Sequence, residues 1–247
     1  MDPLKVEGWR SIGGDSSTQA TAWRRPLGIT EYGFYWDTVL DGTATMIDHL
    51  EIEAEASFEH DLFSRTNIET AWLRLKQRFP LLGVSVEEVP CSDRVEFSLT
   101  EEQLRSIRPG EINRRFGLRS AEDVVHFSDE LRSCESVLDP TCLAKVWVGQ
   151  QLDLPRRYHV WIIISHCITD GMSDATVVRE FCQELGSLSY GRIVQGPPLE
   201  IRLKRLIPAE AFAPSAMLSL PRRRWRLAVA KVIQLRRQAK IAVGVST

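Results

Sequence analysis

One histidine in this chain stands where an imidazole could do proton chemistry. The segment Val160–Ile164 is apolar, Ser165 and His166 follow it, and Asp170 and Gly171 come four and five residues after the histidine. A short apolar run rich in β-branched residues predicts a buried strand. Side chains alternate across a strand, so His166 falls in the row of Val160, Ile162 and Ile164, and Ser165 in the row of His159, Trp161 and Ile163. An imidazole at the end of such a row has one dry side. That setting can hold it neutral near pH 7, with a lone pair ready to accept a proton. Asp170 can brace the turn by accepting hydrogen bonds from backbone or from an arginine, and Gly171 can let the chain turn sharply. The bland alternative is a structural histidine. Metal binding by His166 and Asp170 is the weaker reading, since no third ligand stands at a recognisable spacing.

The elements that must position these residues are legible on both sides. "TMIDHLEIEAEA" alternates at Leu50, Ile52, Ala54 and Ala56, the pattern of a half-buried strand. Ile68, Ala71, Trp72, Leu75 and Phe79 share one face of a helix, with Thr66 or Asn67 as its cap. Pro80 should end it, because the residue before a proline disfavours helix. "LLGVSVEEV" and "RVEFSL" read as strands around a turn at "PCSD". In the mixed stretch 100–140, "SAEDVVHFSDELRSC" reads as a short helix with Ser120 at its cap and Asp123 three residues on. "LAKVWVGQQ" and "YHVWIIISH" read as an antiparallel hairpin. After the motif, Val177, Val178, Phe181 and Leu185 line a helix that Gly186 can cap. Residues 1–26 are expected to be loosely ordered. Residues 201–247 are expected to hold a Pro-rich linker and a basic amphipathic helix, begun at Pro221, with an apolar stripe of Trp225, Val229, Val232 and Ile233.

Composition narrows the class. The chain has 247 residues, 43% hydrophobic and 26% charged, as a globular chain does. A run of five apolar residues is too short to span a bilayer, and the first ten residues carry no apolar signal core, so the expected location is cytoplasmic. The five cysteines form no C-x-x-C and are expected to be free thiols. Residues 201–247 hold eleven Lys or Arg against one acid, Glu210, which leaves 20 basic and 32 acidic side chains in residues 1–200. A basic tail suits nucleic acid, anionic lipid or an acidic surface of this chain or of a partner, and no aromatic-interleaved motif accompanies it, which argues against nucleic acid.

His166-Cys167-Ile168-Thr169-Asp170-Gly171 has the form H-x-x-x-D-G. An early strand, a helix ending in "QRFPLLG", a hairpin, the motif and a following helix come in that order. On these features the chain resembles the CoA-dependent acyltransferases of the chloramphenicol acetyltransferase type. That superfamily includes plant BAHD acyltransferases, fungal trichothecene O-acetyltransferases and the condensation domains of nonribosomal peptide synthetases. The resemblance covers roughly residues 27–240 and looks closest to the fungal O-acetyltransferases. Ser165 stands where many relatives carry a second histidine.

The resemblance implies an α/β fold, a mixed, largely antiparallel sheet covered by helices, equivalent to one half of the two-half fold. Residues 27–200 would form the motif-bearing N-terminal half. It implies His166 as general base, Asp170 as a structural carboxylate paired with an arginine, Arg78 as a candidate for that partner, and Gly171 as the tight-turn residue. It implies acyl-CoA, most simply acetyl-CoA, as co-substrate with no bound cofactor, and a small-molecule hydroxyl as acceptor in secondary-metabolite biosynthesis. The D-F-G-W-G motif of the plant enzymes' second half is absent from the sequence. A complementary chain or a second copy is therefore an expected partner. Two other readings stay open: a non-catalytic half-domain that binds a partner or ligand, and a condensation-like module acting on carrier-bound acyl groups.

Overall fold

The computed structural model describes residues 8–13, 21–40, 42–55, 62–92, 94–133, 137–187 and 197–208, with 211, 219, 221, 222, 224, 225, 228, 229 and 232. In chain order the elements are β1 (Arg10–Ile12), β2 (Ala22–Pro26), α1 (Ile29–Leu40), β3 (Thr45–Glu53), α2 (Arg65–Arg78), a 3-10 turn (Pro80–Gly83), β4 (Ser85–Glu88), β5 (Val95–Thr100), α3 (Glu101–Arg105), β6 (Ile112–Leu118), α4 (Ala121–Ser133), β7 (Ala144–Gln151), β8 (Arg157–Ser165), α5 (Gly171–Ser187) and α6 (Leu199–Leu203). They build two four-stranded sheets, β1-β2-β5-β4 and β3-β8-β7-β6. Every pairing is antiparallel except β6 with β7. The mixed, largely antiparallel α/β class expected from the sequence is thus observed, divided between two sheets.

Strand β8 explains its own composition. It lies between β3 and β7, and both of its faces are covered. Val160, Ile162 and Ile164 pack with Trp72 and Leu75 of α2 and with Val177 and Phe181 of α5. Trp161 and Ile163 pack with Val124, Phe127 and Leu131 of α4. A strand buried on both faces reads as a continuous apolar run rather than an alternating one. Each fully buried side chain of this size contributes about 1.5–3 kcal/mol of transfer free energy, so register along β8 is strongly fixed. That register sets Thr45 opposite Ser165 and Asp48 opposite Ile162.

Several boundaries differ from the sequence reading. Helix α2 begins two to three residues earlier than expected: Ser64 is its cap, its hydroxyl accepting from the Asn67 amide at 3.3 Å. It ends at Arg78, before Pro80, as expected. Gly186 lies inside the last turn of α5 rather than beyond it. The stretch 1–26 contributes two strands, β1 and β2, among its described residues. Arg25 of β2 is fully buried, held by Glu31 of α1 through two contacts of 2.8 Å. Helix α1 itself and strand β6 were not expected.

The described residues of the 221–240 stretch are helical, and Trp225, Val229 and Val232 are exposed. The expected stripe is therefore not covered by the body of this chain at those three positions. Ile233 and Cys134 lie outside the described residues. Cys91, Cys142, Cys167 and Cys182 are free thiols. Among the described residues no helix is long and apolar enough to cross a membrane.

Candidate active site

His166 sits one residue past the end of β8, where its amide still pairs with the Ala44 carbonyl at 2.9 Å. The chain then turns through Cys167, Ile168 and Thr169 into α5. Within that turn His166 Nδ1 lies 2.7 Å from the Thr169 carbonyl oxygen. A carbonyl only accepts, so Nδ1 is the protonated nitrogen of the neutral ring and donates. Nε2 is left with the lone pair. This is the tautomer a general base needs, and the backbone of the motif itself fixes it.

Helix α1 supplies the rest of the support. The Phe34 ring lies parallel to the imidazole, centroids 4.1 Å apart and planes 6° from coplanar. One helical turn on, Thr38 is fully buried and its hydroxyl is 2.8 Å from that of Ser165. The Ser165 oxygen also accepts from the Cys167 amide at 3.3 Å. Ser165 thus ties the end of β8 to α1 and to the motif turn. Burial pushes the Cys167 thiol up to about 12, which removes it as a nucleophile near neutral pH.

Three supporting roles need correction. Asp170 is exposed and, among the described residues, pairs with no arginine. Its carboxylate accepts from the Ser173 amide at 2.8 Å, and its carbonyl from the Asp174 amide at 2.8 Å, which makes it the N-cap of α5. The Ser173 backbone hydrogen bond is the main cause holding its carboxyl below the ordinary value. Arg78 reaches α5 elsewhere: its guanidinium is ion-paired with Glu180, a buried carboxylate nearly three turns beyond Asp170. Gly171 starts α5 without positive φ, and a Cβ there would meet open space. The turn therefore does not require glycine within this chain.

A carboxyl pair lies beneath the motif. Asp174, in the first turn of α5, is buried and hydrogen-bonded to Asp48 of β3. Burial, then the hydrogen bond and charge of Asp48, push Asp174 up to about 8. It is protonated at neutral pH and pins the start of α5 to the sheet. Its second oxygen has no hydrogen-bond partner. Beside the motif, a cavity of about 240 Å³ opens between the 3-10 turn and α5, with Phe79, Leu82, Ile168, Thr169 and Val177 in its walls. It lies behind the loop that holds His166, and the imidazole is not among its walls.

Sequence reading missed Phe34, Thr38, Asp48 and Glu180. Two of these left a signal. Asp48 interrupts the apolar row of β3, between Met46 and Leu50, and Glu180 shares the packed stripe of α5 with Val177 and Phe181. An acid in such a row is a buried acid that needs a partner.

No family model matches the chain, and no curated protein matches it. Solved structures do. Trichothecene 15-O-acetyltransferase TRI3 from Fusarium sporotrichioides aligns with a TM-score of 0.54 and 15% identity over 77% of this chain and 40% of its own. The starter condensation domain of rhizomide synthetase RzmA aligns at 0.53 and 10% over 74% of this chain and 42% of its own. A four-domain nonribosomal peptide synthetase bound to AMP and glycine aligns at 0.53 and 15% over 85% of this chain and 14% of its own. At these identities the likeness shows the fold alone, the one shared with this acetyltransferase and these condensation-type structures. The chain spans less than half the length of each of these proteins, in keeping with one half of that fold.

Proposed function

We propose that this chain is the base-bearing half of an acyltransferase, with His166 as the general base and a thioester, most simply acetyl-CoA, as donor. The observation that carries the reading is the Nδ1–Thr169 hydrogen bond, which leaves Nε2 bare at the end of β8. In the proposed step Nε2 takes the proton from an acceptor hydroxyl while that oxygen bonds to the thioester carbonyl carbon. The tetrahedral intermediate collapses with cleavage of the C–S bond. The leaving thiolate receives the proton back from Nε2, giving an ester and a free thiol. General base catalysis of this kind contributes roughly 10²–10⁴-fold.

A partial fold favours a second reading within this one. The matched TRI3 and RzmA structures extend well beyond the 40% and 42% of their lengths that this chain covers, and Trp225, Val229 and Val232 stand exposed on the basic helix. Full activity then requires the rest of that fold to close the site over His166. The test is release of free thiol from acetyl-CoA in the presence of a panel of small alcohols, for the wild type and His166→Ala. Loss of acceptor-dependent release in the variant, with an unchanged melting temperature, is the expected result. Equal release from both proteins would remove His166 from the chemistry.

A further inference from the structure

The motif turn is held at both ends, and one end is held by an acid. His166 follows the last residue of β8, and the Thr169 carbonyl that fixes its tautomer lies just before α5. The distance between donor and acceptor therefore depends on how the strand end and the helix start sit relative to each other. The strand end has two ties: the Ser165 hydroxyl is 2.8 Å from that of Thr38 in α1, and the His166 amide pairs with the Ala44 carbonyl at 2.9 Å. At the helix start, Gly171, Met172 and Ser173 are exposed, and Asp174 is the first buried residue of α5. Its amide donates to the Asp170 carbonyl at 2.8 Å, the peptide group next to that of Thr169. Its carboxyl is hydrogen-bonded to Asp48 of β3. The ion pairs between α5 and α2, Arg78 with Glu180 and Arg74 with Glu184, lie further along the helix.

Stability alone does not call for this tie. The pair leaves one oxygen of each acid, Asp174 Oδ1 and Asp48 Oδ2, buried without a partner. Such groups carry a desolvation cost, and apolar side chains of the same shape are often no worse. What a hydrogen bond adds is a fixed distance: it sets the first turn of α5 against β3, where an apolar contact would let the two slide. The bond also depends on one proton. On β3 the group facing Asp174 is Asp48, and β8 places Ile162 opposite Asp48. On α5 itself, Asp170 is exposed and turned to the Ser173 amide. No basic group is among those acting on Asp174. Loss of the shared proton therefore leaves two like charges side by side, and the tie becomes a repulsion.

We propose that Asp174, through its hydrogen bond to Asp48, is a positioning residue for His166: it holds the start of α5 where the Thr169 carbonyl accepts from Nδ1. The inference rests on the reading of His166 as the base and adds to it a proton that the reaction does not consume. When Asp174 ionises, the first turn of α5 moves off β3 and the Thr169 carbonyl leaves Nδ1. The ring is then free to carry its proton on Nε2, where it no longer accepts one. Acyl transfer thus has an upper pH limit set by a residue that touches no substrate.

The test follows the ring ¹⁵N resonances of His166 in the full chain from neutral to alkaline pH, for the wild type, Asp174→Asn and Asp174→Ala. In the wild type the share of ring protonated on Nδ1 is expected to fall as Asp174 ionises, at about 8. Loss of one hydrogen bond changes the ratio of the two tautomers roughly fivefold. Asp174→Asn still donates to Asp48 and cannot ionise, so it should hold the share constant across the range. Asp174→Ala should show the low share at every pH; if that variant does not fold, the wild type and Asp174→Asn decide between them. Acyl transfer to an alcohol, measured on the same proteins, should slow with rising pH in the wild type and not in Asp174→Asn. The tautomer measurement needs no turnover, so absence of acyl transfer throughout would overturn the reading of His166 as base and leave the positioning role to be decided by the spectra. A wild-type share that does not change with pH, an Asp174→Asn share that falls with the wild type's, or a folded Asp174→Ala with the wild-type tautomer would each overturn the assignment.

Discussion

The imidazole of His166 lies flat on the ring of Phe34, 4.1 Å away and 6° from parallel. The histidine comes from the end of β8 and the phenylalanine from α1, elements separated by more than a hundred residues. Stacking and the Thr169 hydrogen bond restrict the ring from two directions, one across its plane and one within it. A base held this way does not have to be ordered when substrate arrives.

Phe34→Ala should therefore release the ring while leaving the fold. An aromatic pair of this kind is worth about 0.5–1.5 kcal/mol. The expected result is a proton spectrum in which the His166 ring signals lose the upfield shift imposed by Phe34, with a fall in Tm of a few degrees. Unchanged His166 shifts in the variant would show that the stack does not form in solution.

Asp170→Ala should behave as the loss of a helix cap. An exposed N-cap costs about 1 kcal/mol when removed, roughly 2–4 °C in Tm for a chain of this size. Asp170→Asn should recover most of that loss, because the amide oxygen can still accept from the Ser173 amide. Denaturant unfolding decides: a cost near 3–5 kcal/mol in Asp170→Ala would instead indicate a broken buried ion pair.

Asp174→Asn should stabilise the chain, and more so as pH rises. The folded state holds the Asp174 proton up to about 8, whereas the unfolded carboxyl loses it near its ordinary value of 3.8. Between those values the folded state binds more protons, so its stability declines as pH rises through the window. Asparagine cannot ionise and can still donate to Asp48. The gain should be near zero at pH 4 and grow steadily as pH rises through the window towards 8. Thermal melts of both proteins across that range measure it, and a gain independent of pH would contradict the shared-proton pair.

These contrasts show which parts of the site the sequence could reveal. Strand β8, helices α2 and α5 and both hairpins were legible because burial there follows hydrophobicity: Ile162 and Phe181 are apolar and inside. In α1 the two diverge. Tyr35 and Thr38 are buried, while Ile29, Tyr32 and Leu40 are exposed, so no stripe stands out. Strand β6 is an edge strand with exposed Phe116 and a register shift between Arg115 and Leu118, which breaks the alternation. The assignment of Arg78 to Asp170 failed for a different reason. Sequence places an arginine at the end of α2 but does not say which carboxylate of α5 it meets, and the packing of the two helices presents Glu180. The carbonyl of Thr169 was invisible in principle, since every residue has one.

The proposed chemistry turns on His166 presenting a bare Nε2, held there by the Thr169 carbonyl of its own motif. The most direct measurement is the ¹⁵N spectrum of the imidazoles in the full chain at a pH where the ring is neutral, with His166→Gln used to assign the resonances. The account predicts a protonated Nδ1 with slowed exchange, coupled to the Thr169 carbonyl, and an unprotonated Nε2. A neutral ring protonated on Nε2 would contradict it, because that ring could not accept a proton where the substrate must lie.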